Sequence, residues 1–248
     1  RRRALACWRA AALVAAGCGV RGYAASARAQ ALPCSNSSPA PAAHLGSLLV
    51  AGVDEAGRGS LAGPVVAAAV AVAPSARGLE EGVVDSKRLS KRNRELVYQR
   101  LVTNAGVRWC VSVVGPGQID NINILQATFE AMAGAVDGLR RQPVEIGEVL
   151  IDGNQVPPQL AGLQCSSLIR GDQLSFPVAA ASILAKVTRD RLMLDLDGLH
   201  PQYGFRQHQG YGTKAHLEAL RQHGPCPAHR MSFNPIRRFQ EMGSWDPP

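Results

Sequence analysis

Aromatic side chains are scarce in this chain, at 5% of 248 residues. With few large rings available, the core must be filled by small aliphatic residues, and the 46% hydrophobic fraction is rich in alanine and valine. The apolar stretch Ala10 to Val20 is too short to cross a bilayer, so no membrane partner is expected. Cysteine is present but unorganised. Cys7, Cys18 and Cys34 fall near one end, while Cys110, Cys165 and Cys226 are widely spaced, which argues against a disulfide framework and a structural zinc site. The most pointed absence is of acid. Residues 1 to 53 hold no Asp or Glu, yet they carry Arg1, Arg2, Arg3, Arg9, Arg21 and Arg28.

Those six arginines supply most of the net charge of +8, because residues 54–248 hold 21 basic and 19 acidic side chains. The basic pI is therefore weak evidence for a nucleic-acid partner, and the body must be judged by local patches. The acid-free segment is rich in Arg, Ala and Ser and ends in the linker-like Ser35-Asn36-Ser37-Ser38-Pro39-Ala40-Pro41. Residues 1–46 read as a disordered presequence and linker of the organelle transit type, addressed to a plastid or mitochondrion. Without it the address would be cytoplasmic. A secretory signal is the rival, since Ala27-Arg28-Ala29 resembles a cleavage site.

Beyond the linker, Leu48–Val53 and Pro64–Val72 read as strands, with Asp54-Glu55-Ala56-Gly57-Arg58-Gly59 opening the loop between them. Ser90 suits an N-cap for a basic helix from Lys91 to Asn104, with Leu96, Val97 and Leu101 on its apolar side. Val107–Val114 predicts a strand. Ile124, Ala127, Thr128, Ala131 and Ala135 predict a helix from about Asn123 to Leu139. Val149–Ile151 and Cys165–Ile169 predict further strands, ending in Asp152 and Gly171-Asp172. A long helix is expected from Pro177 towards Leu199, with shorter ones near Thr213–Gln222 and Pro235–Met242. The order implies an α/β protein, a three-layer mixed sheet flanked by helices with a small helical C-terminal appendage.

Three strands thus end in carboxylates. Sheet neighbours bring strand ends together, so Asp54, Glu55, Asp152 and Asp172 are placed to converge. Four acids in one place require divalent cations, and an all-oxygen donor set suits Mg²⁺ or Mn²⁺. Two such ions about 3.5–4 Å apart cleave phosphodiesters. Taken singly, Asp152 and Asp172 serve equally well as turn residues.

Read in order, V-D-E-A-G-R-G (Val53–Gly59), D-S-K (Asp85-Ser86-Lys87), I-D-G-N (Ile151–Asn154), G-D (Gly171-Asp172) and A-A-S-I-L-A-K-V-T-R-D (Ala180–Asp190) form an ordered set. P-Q-Y-G-F (Pro201–Phe205), G-Y-G-T (Gly210–Thr213) and H-R-M-S-F (His229–Phe233) complete it. Together, from about Leu48 to Arg238, they resemble ribonuclease HII, the type 2 ribonuclease H family. The resemblance implies a ribonuclease H-like catalytic domain over 47–200 and a substrate-clamping helical segment over 201–248. It implies an endonuclease that hydrolyses the RNA strand of RNA–DNA hybrids and nicks 5′ of ribonucleotides embedded in duplex DNA. These nucleic acids would be its partners, and a monomer is expected. In that family two divalent ions are held by four acids, which carry over to Asp54, Glu55, Asp152 and Asp172. Gly57, Arg58 and Gly59 would contact the 2′-hydroxyl and phosphates, and Tyr211 would read the same hydroxyl. Ser86, Lys87 and Lys186 would contact phosphates.

Arg189, Lys91, Arg92 and Arg94 read by default as solvated charges on helix faces. His229-Arg230 suits either closure over substrate or packing. Two departures stand out. Gln209 occupies a position where the family often has lysine, and Gln240–Pro248 shows no recognisable sliding-clamp peptide. Ribonuclease HIII fits less well because the G-R-G loop is intact. Two other readings remain: a dinucleotide-binding oxidoreductase built on Gly57, Gly59, Gly63 and Asp85, and a catalytically inactive nucleic-acid-binding relative. Against the first, Asp54 and Glu55 would repel a pyrophosphate, and Pro64-Val65-Val66 favours a strand where a helix is required.

Overall fold

The computed structural model describes residues 30–31, 48–76, 78–79, 89–243 and 245. Its centre is a mixed sheet whose main strands are β2 (Leu49–Ala56), β3 (Val65–Val72), β4 (Val107–Val114), β5 (Ile146–Asp152) and β6 (Cys165–Leu168). A two-residue strand, β1 (Gln30–Ala31), extends one edge by pairing antiparallel with β4, and the order across the sheet is β1-β4-β3-β2-β5-β6. β2, β3 and β4 run antiparallel in succession, whereas β2–β5 and β5–β6 are parallel. The rest of residues 1–46, and Asp85-Ser86-Lys87 with them, lie outside the described residues.

Small side chains explain the layering. β3, Val-Val-Ala-Ala-Ala-Val-Ala-Val, is buried on both faces. One face sets Val65, Ala67, Ala69 and Ala71 against Ala127, Ala131 and Ala135 of α2 (Pro116–Arg140). The other sets Val66, Ala68 and Val70 against α4 (Phe176–Leu199) and α1 (Lys91–Thr103). Alanine-on-alanine contacts let helices approach closely without large rings. The limit is reached at Gly52, where an added Cβ would lie 2.1 Å from the α4 backbone at Pro177 and Val178.

Several elements differ from expectation. α2 starts at Pro116, not Asn123, and kinks at Asn123, whose backbone leaves the helical region at φ 67, ψ 165. The Asn123 Oδ1 accepts from the Leu125 and Gln126 amides at 3.0 and 3.1 Å, so this residue caps the second, apolar-spaced part. Leu96 on α1 is exposed, leaving Val97, Tyr98 and Leu101 to make the contact. Asp172 does not end a strand; it sits in a single turn, α3 (Gly171–Leu174), that follows β6. Arg170, in the left-handed region at φ 58, makes that turn.

The C-terminal part adds α5 (Phe205–His208), α6 (Lys214–His223) and α7 (Ile236–Met242). Thr213 caps α6 by accepting from the His216 amide at 3.3 Å. These pieces enclose a third core of Met193, Tyr203, Phe205, Leu220 and Ile236, which also buries Leu61 and Ala62 of the β2–β3 loop. Among the described residues, no helix is long and apolar enough to cross a membrane.

Candidate active site

β2 runs past the expected end at Val53 to Ala56, so Asp54 and Glu55 are still paired with β3; with Val53 opposite Ile151 of the parallel β5, Asp54 and Asp152 follow as neighbours. Asp54 is almost wholly buried. Its Oδ1 accepts from the Glu55 amide at 2.7 Å, and Ser182 on α4 also hydrogen-bonds its carboxylate. Burial above all, then the charges of Glu55 and Asp152, push the Asp54 carboxyl well above its ordinary value. Burial likewise raises Glu55, against the pull of Arg58, whose Nη1 reaches Glu55 Oε1 at 3.3 Å, and with a further push from Asp152. Asp152 Oδ1 accepts from the Gly171 amide at 2.7 Å, which ties the start of α3 to the end of β5.

Asp54, Glu55 and Asp152 share the wall of an open cavity of about 460 Å³. Asp172, in α3, is buried and does not line it. Among the described residues, no three acidic, histidine or cysteine side chains are grouped so as to hold an ion as they stand. The donor chemistry nonetheless fits a divalent cation. Three carboxylates sit in one partly dry cavity, two of them raised by burial and mutual repulsion, with Arg58 bonding just one.

Basic and polar groups complete the rim. Arg58, Arg94, Ser182, Lys186 and Tyr211 line the same cavity, together with Gly57 and Gly59. Lys186 donates to Asp190 at 2.6 Å, and Arg94 donates to the Leu89 carbonyl at 2.9 Å, each held by its own helix surroundings. Gly57 has φ 96, and an added Cβ would sit 2.0 Å from Arg189 Nε, so both conformation and space require glycine there. Gly59 is different. Its Cβ position faces open space, with Tyr211 Cε1 the nearest atom at 3.9 Å, so the loop and the tyrosine confront each other across a narrow gap.

Tyr211 is half exposed, and its backbone is held from behind. The Cys226 amide donates to His229 Nδ1 at 3.0 Å, so that nitrogen is an acceptor and Nε2 carries the proton. Nε2 of His229 therefore donates to Nε2 of His216 at 3.0 Å, and Nδ1 of His216 donates to the Tyr211 carbonyl at 2.9 Å. His208 works beside them, accepting from the Gly210 amide at 3.2 Å and donating to the Tyr203 carbonyl at 2.8 Å. Burial lowers His229 to about 3 and His216 to about 4, so this relay is neutral.

Arg189 departs from its expected place on a solvated helix face: it is fully buried. It shares a face with Ala181, Ala185 and Met193, all buried at four-residue spacing on α4, and carbonyl groups of the β2–β3 loop receive it. That spacing was the available signal. His229 and Arg230 are both buried and do not face the cavity. Motif reading gives Ser182 no role, takes Arg94 and Arg189 as solvated charges, and takes Arg230 as closing over substrate or packing. Gln209 turns inward at φ 53, and its amide donates to the Arg206 carbonyl at 2.8 Å. Ser86 and Lys87 lie outside the described residues. A dinucleotide fold is ruled out here, because the glycine loop leads into the antiparallel strand β3 and not into a helix.

Comparison with known proteins agrees with this geometry. The family model described as Ribonuclease HII matches residues 51–236. A ribonuclease HII of Xanthomonas campestris pv. campestris (strain 8004) is 50% identical over 208 residues, covering 82% of this chain and 83% of that protein. Among solved structures, the ribonuclease H2 of Pyrococcus horikoshii OT3 is 29% identical with a TM-score of 0.65, covering 78% of this chain and 98% of the other. The RNase HII of Archaeoglobus fulgidus, solved as a complex with PCNA, is 30% identical with a TM-score of 0.63, covering 75% and 96%. Identity at half of the aligned positions over four-fifths of the chain, carried on a shared fold, means that the chain belongs to the ribonuclease HII family of hydrolytic ribonucleases.

Proposed function

We propose that the protein is an endonuclease that cuts the RNA strand of RNA–DNA hybrids and nicks duplex DNA 5′ of an embedded ribonucleotide. The supporting observation is one cavity that joins an acidic wall to a glycine loop facing Tyr211. Asp54, Glu55 and Asp152 would hold two divalent ions, Mg²⁺ or Mn²⁺, with Asp172 in α3 as the fourth acid of the set. A divalent pair held there would supply Lewis-acid chemistry, activating water and neutralising charge on the leaving oxygen. The chain's own groups bind and orient. Gly57, Arg58 and Gly59 receive the ribonucleotide's 2′-hydroxyl and phosphate, Tyr211 closes on its sugar, and Lys186 and Arg94 steady flanking phosphates. Ser86 and Lys87 take phosphate contacts as the family resemblance implies. Water attacks phosphorus, the P–O3′ bond breaks, and the products carry 3′-hydroxyl and 5′-phosphate ends.

The test uses residues 47–248 on a labelled duplex with one ribonucleotide and on a continuous hybrid. Mg²⁺- or Mn²⁺-dependent nicking immediately 5′ of the ribonucleotide is expected. Absence of nicking with either ion would overturn the proposal. The arginine-rich residues 1–46 are proposed as the organelle address.

A further inference from the structure

Two arginines lie buried beneath the glycine loop, and among the described residues neither has a carboxylate salt bridge. Arg230 donates to three separate carbonyls: Nε to Gly63 at 3.0 Å, Nη1 to Arg58 at 2.8 Å and Nη2 to Gly57 at 2.6 Å. Arg189 takes the remainder, with Nε to Pro64 at 3.0 Å and Nη2 to Ala62 at 3.2 Å and to Ser60 Oγ at 2.6 Å. Ser60 Oγ in turn donates to Gly57 at 2.9 Å, which links the two arginines through one carbonyl. Arg189 also sits under the Tyr211 ring, its Cζ 5.7 Å from the centroid.

Burying two like charges is costly, and ordinary packing would favour apolar side chains in their place. Their arrangement has a consequence that apolar groups cannot supply. A planar peptide points its C=O and N–H in opposite directions. Turning the Gly57 and Arg58 carbonyls down onto Arg230 therefore turns the Arg58 and Gly59 N–H groups up towards the cavity. Among the described residues, neither of those N–H groups donates to the protein itself. Adjacent outward amides above buried positive charge make an anion-receiving surface.

We infer that Arg230 and Arg189 are positioning residues for ribonucleotide recognition. They form a paired brace that fixes the glycine loop with its amides presented to substrate and holds Tyr211 opposite. The inference rests on the nuclease reading given above and assigns the ribonucleotide preference to groups that never touch the nucleic acid. Arg230 reaches three carbonyls with a rigid fork, and lysine, a point charge with the same sign, does not reproduce it.

The deciding measurement is the ratio of affinities for a duplex with one ribonucleotide and the same duplex in all-DNA form, taken in Ca²⁺ alongside a melting curve. Wild-type protein should prefer the ribonucleotide duplex. Folded Arg230→Lys should lose about ten-fold of that preference, the equivalent of roughly one well-placed hydrogen bond to substrate. A purely structural role would lower the melting temperature and leave the ratio intact, and that result would overturn the inference. If Arg230→Lys does not fold, Ser60→Ala decides: it should narrow the ratio several-fold, and an unchanged ratio counts against the brace. Lack of any preference in the wild type would instead overturn the nuclease reading, and this inference with it.

Discussion

At the scale of single residues, Asp54 is held where its charge is least welcome in the metal-free protein. Burial and two neighbouring carboxylates raise its proton affinity, so its ionised form works against folding at neutral pH. Asp54→Asn is therefore expected to abolish cleavage while raising the melting temperature of the metal-free protein. Wild-type protein should gain about 2.7 kcal/mol from a divalent ion at 100 times its dissociation constant, and the variant should gain far less. Scanning calorimetry with and without Mg²⁺ measures both; a variant that melts lower than wild type would show that Asp54 is not under such repulsion. The two loop glycines separate structure from recognition in the same way. Gly57→Ala meets Arg189 and an unfavourable φ, and should cost about 1–3 kcal/mol of stability. Gly59→Ala meets no protein atom closely and should melt like wild type, yet bind a ribonucleotide duplex about ten-fold more weakly because its methyl enters the gap to Tyr211. Equal losses of stability in the two would contradict this division.

At the scale of elements, the bend in α2 has a visible purpose. Its first part carries Asp120, which accepts from the Met231 and Ser232 amides, both at 2.9 Å, and from the Ser232 hydroxyl at 2.6 Å. The residues next to Arg230 are thus fastened to the helix by one carboxylate. Asn123→Ala loses the cap and keeps the strained backbone, so chemical denaturation should show a cost of about 2 kcal/mol. Asn123→Gly loses the cap but relieves the strain, and should cost less. The reverse order would mean that the bend is not set at this residue. The second part of α2 is legible in the sequence because its alanines repeat at helical spacing, whereas the first is not, because Pro116-Gly117-Gln118 carries no apolar stripe. The strands are legible too, and so are the acids near the C-terminal ends of β2 and β5, since an apolar run that gives way abruptly to charge marks a strand's end, although β2 carries on through Asp54 and Glu55 to Ala56. Asp172 is misplaced by sequence alone because a one-turn helix is too short to have a period. Arg189 and Arg230 escape it because burial of a cation depends on carbonyls more than a hundred residues away.

For the molecule as a whole, the histidine relay couples the C-terminal segment to pH. His216 and His229 bind protons less readily folded than unfolded. Between pH 6.5 and about 4, the unfolded chain takes up protons that the fold refuses. Their contribution to stability is full above pH 6.5 and is lost as pH falls, by at most roughly 1 kcal/mol per pH unit for each histidine. Asp54 and Glu55, with raised carboxyls, run the other way, so the trend is best read in the Asp54→Asn, Glu55→Gln double variant. Urea midpoints in that background should drop steadily from pH 6.5 to 4.5; a flat course would place charged histidines in the fold. The molecule's address is a separate matter. Residues 1–46, given an initiator Met and fused to a fluorescent reporter, should carry it into a plastid or mitochondrion, and diffuse cytosolic signal would refute the proposal. Nuclease activity should survive their removal.

The distance in sequence between the acids and Arg230 acquires a meaning when the chain is considered as it is being made. All four acids proposed for the metal site have been added to the chain once residue 172 is synthesised, but the guanidinium under the glycine loop is added 58 residues later. In a growing chain the glycine loop therefore waits some seconds for the guanidinium that braces it, and on the proposed reading the preference for a ribonucleotide is acquired later than the acids.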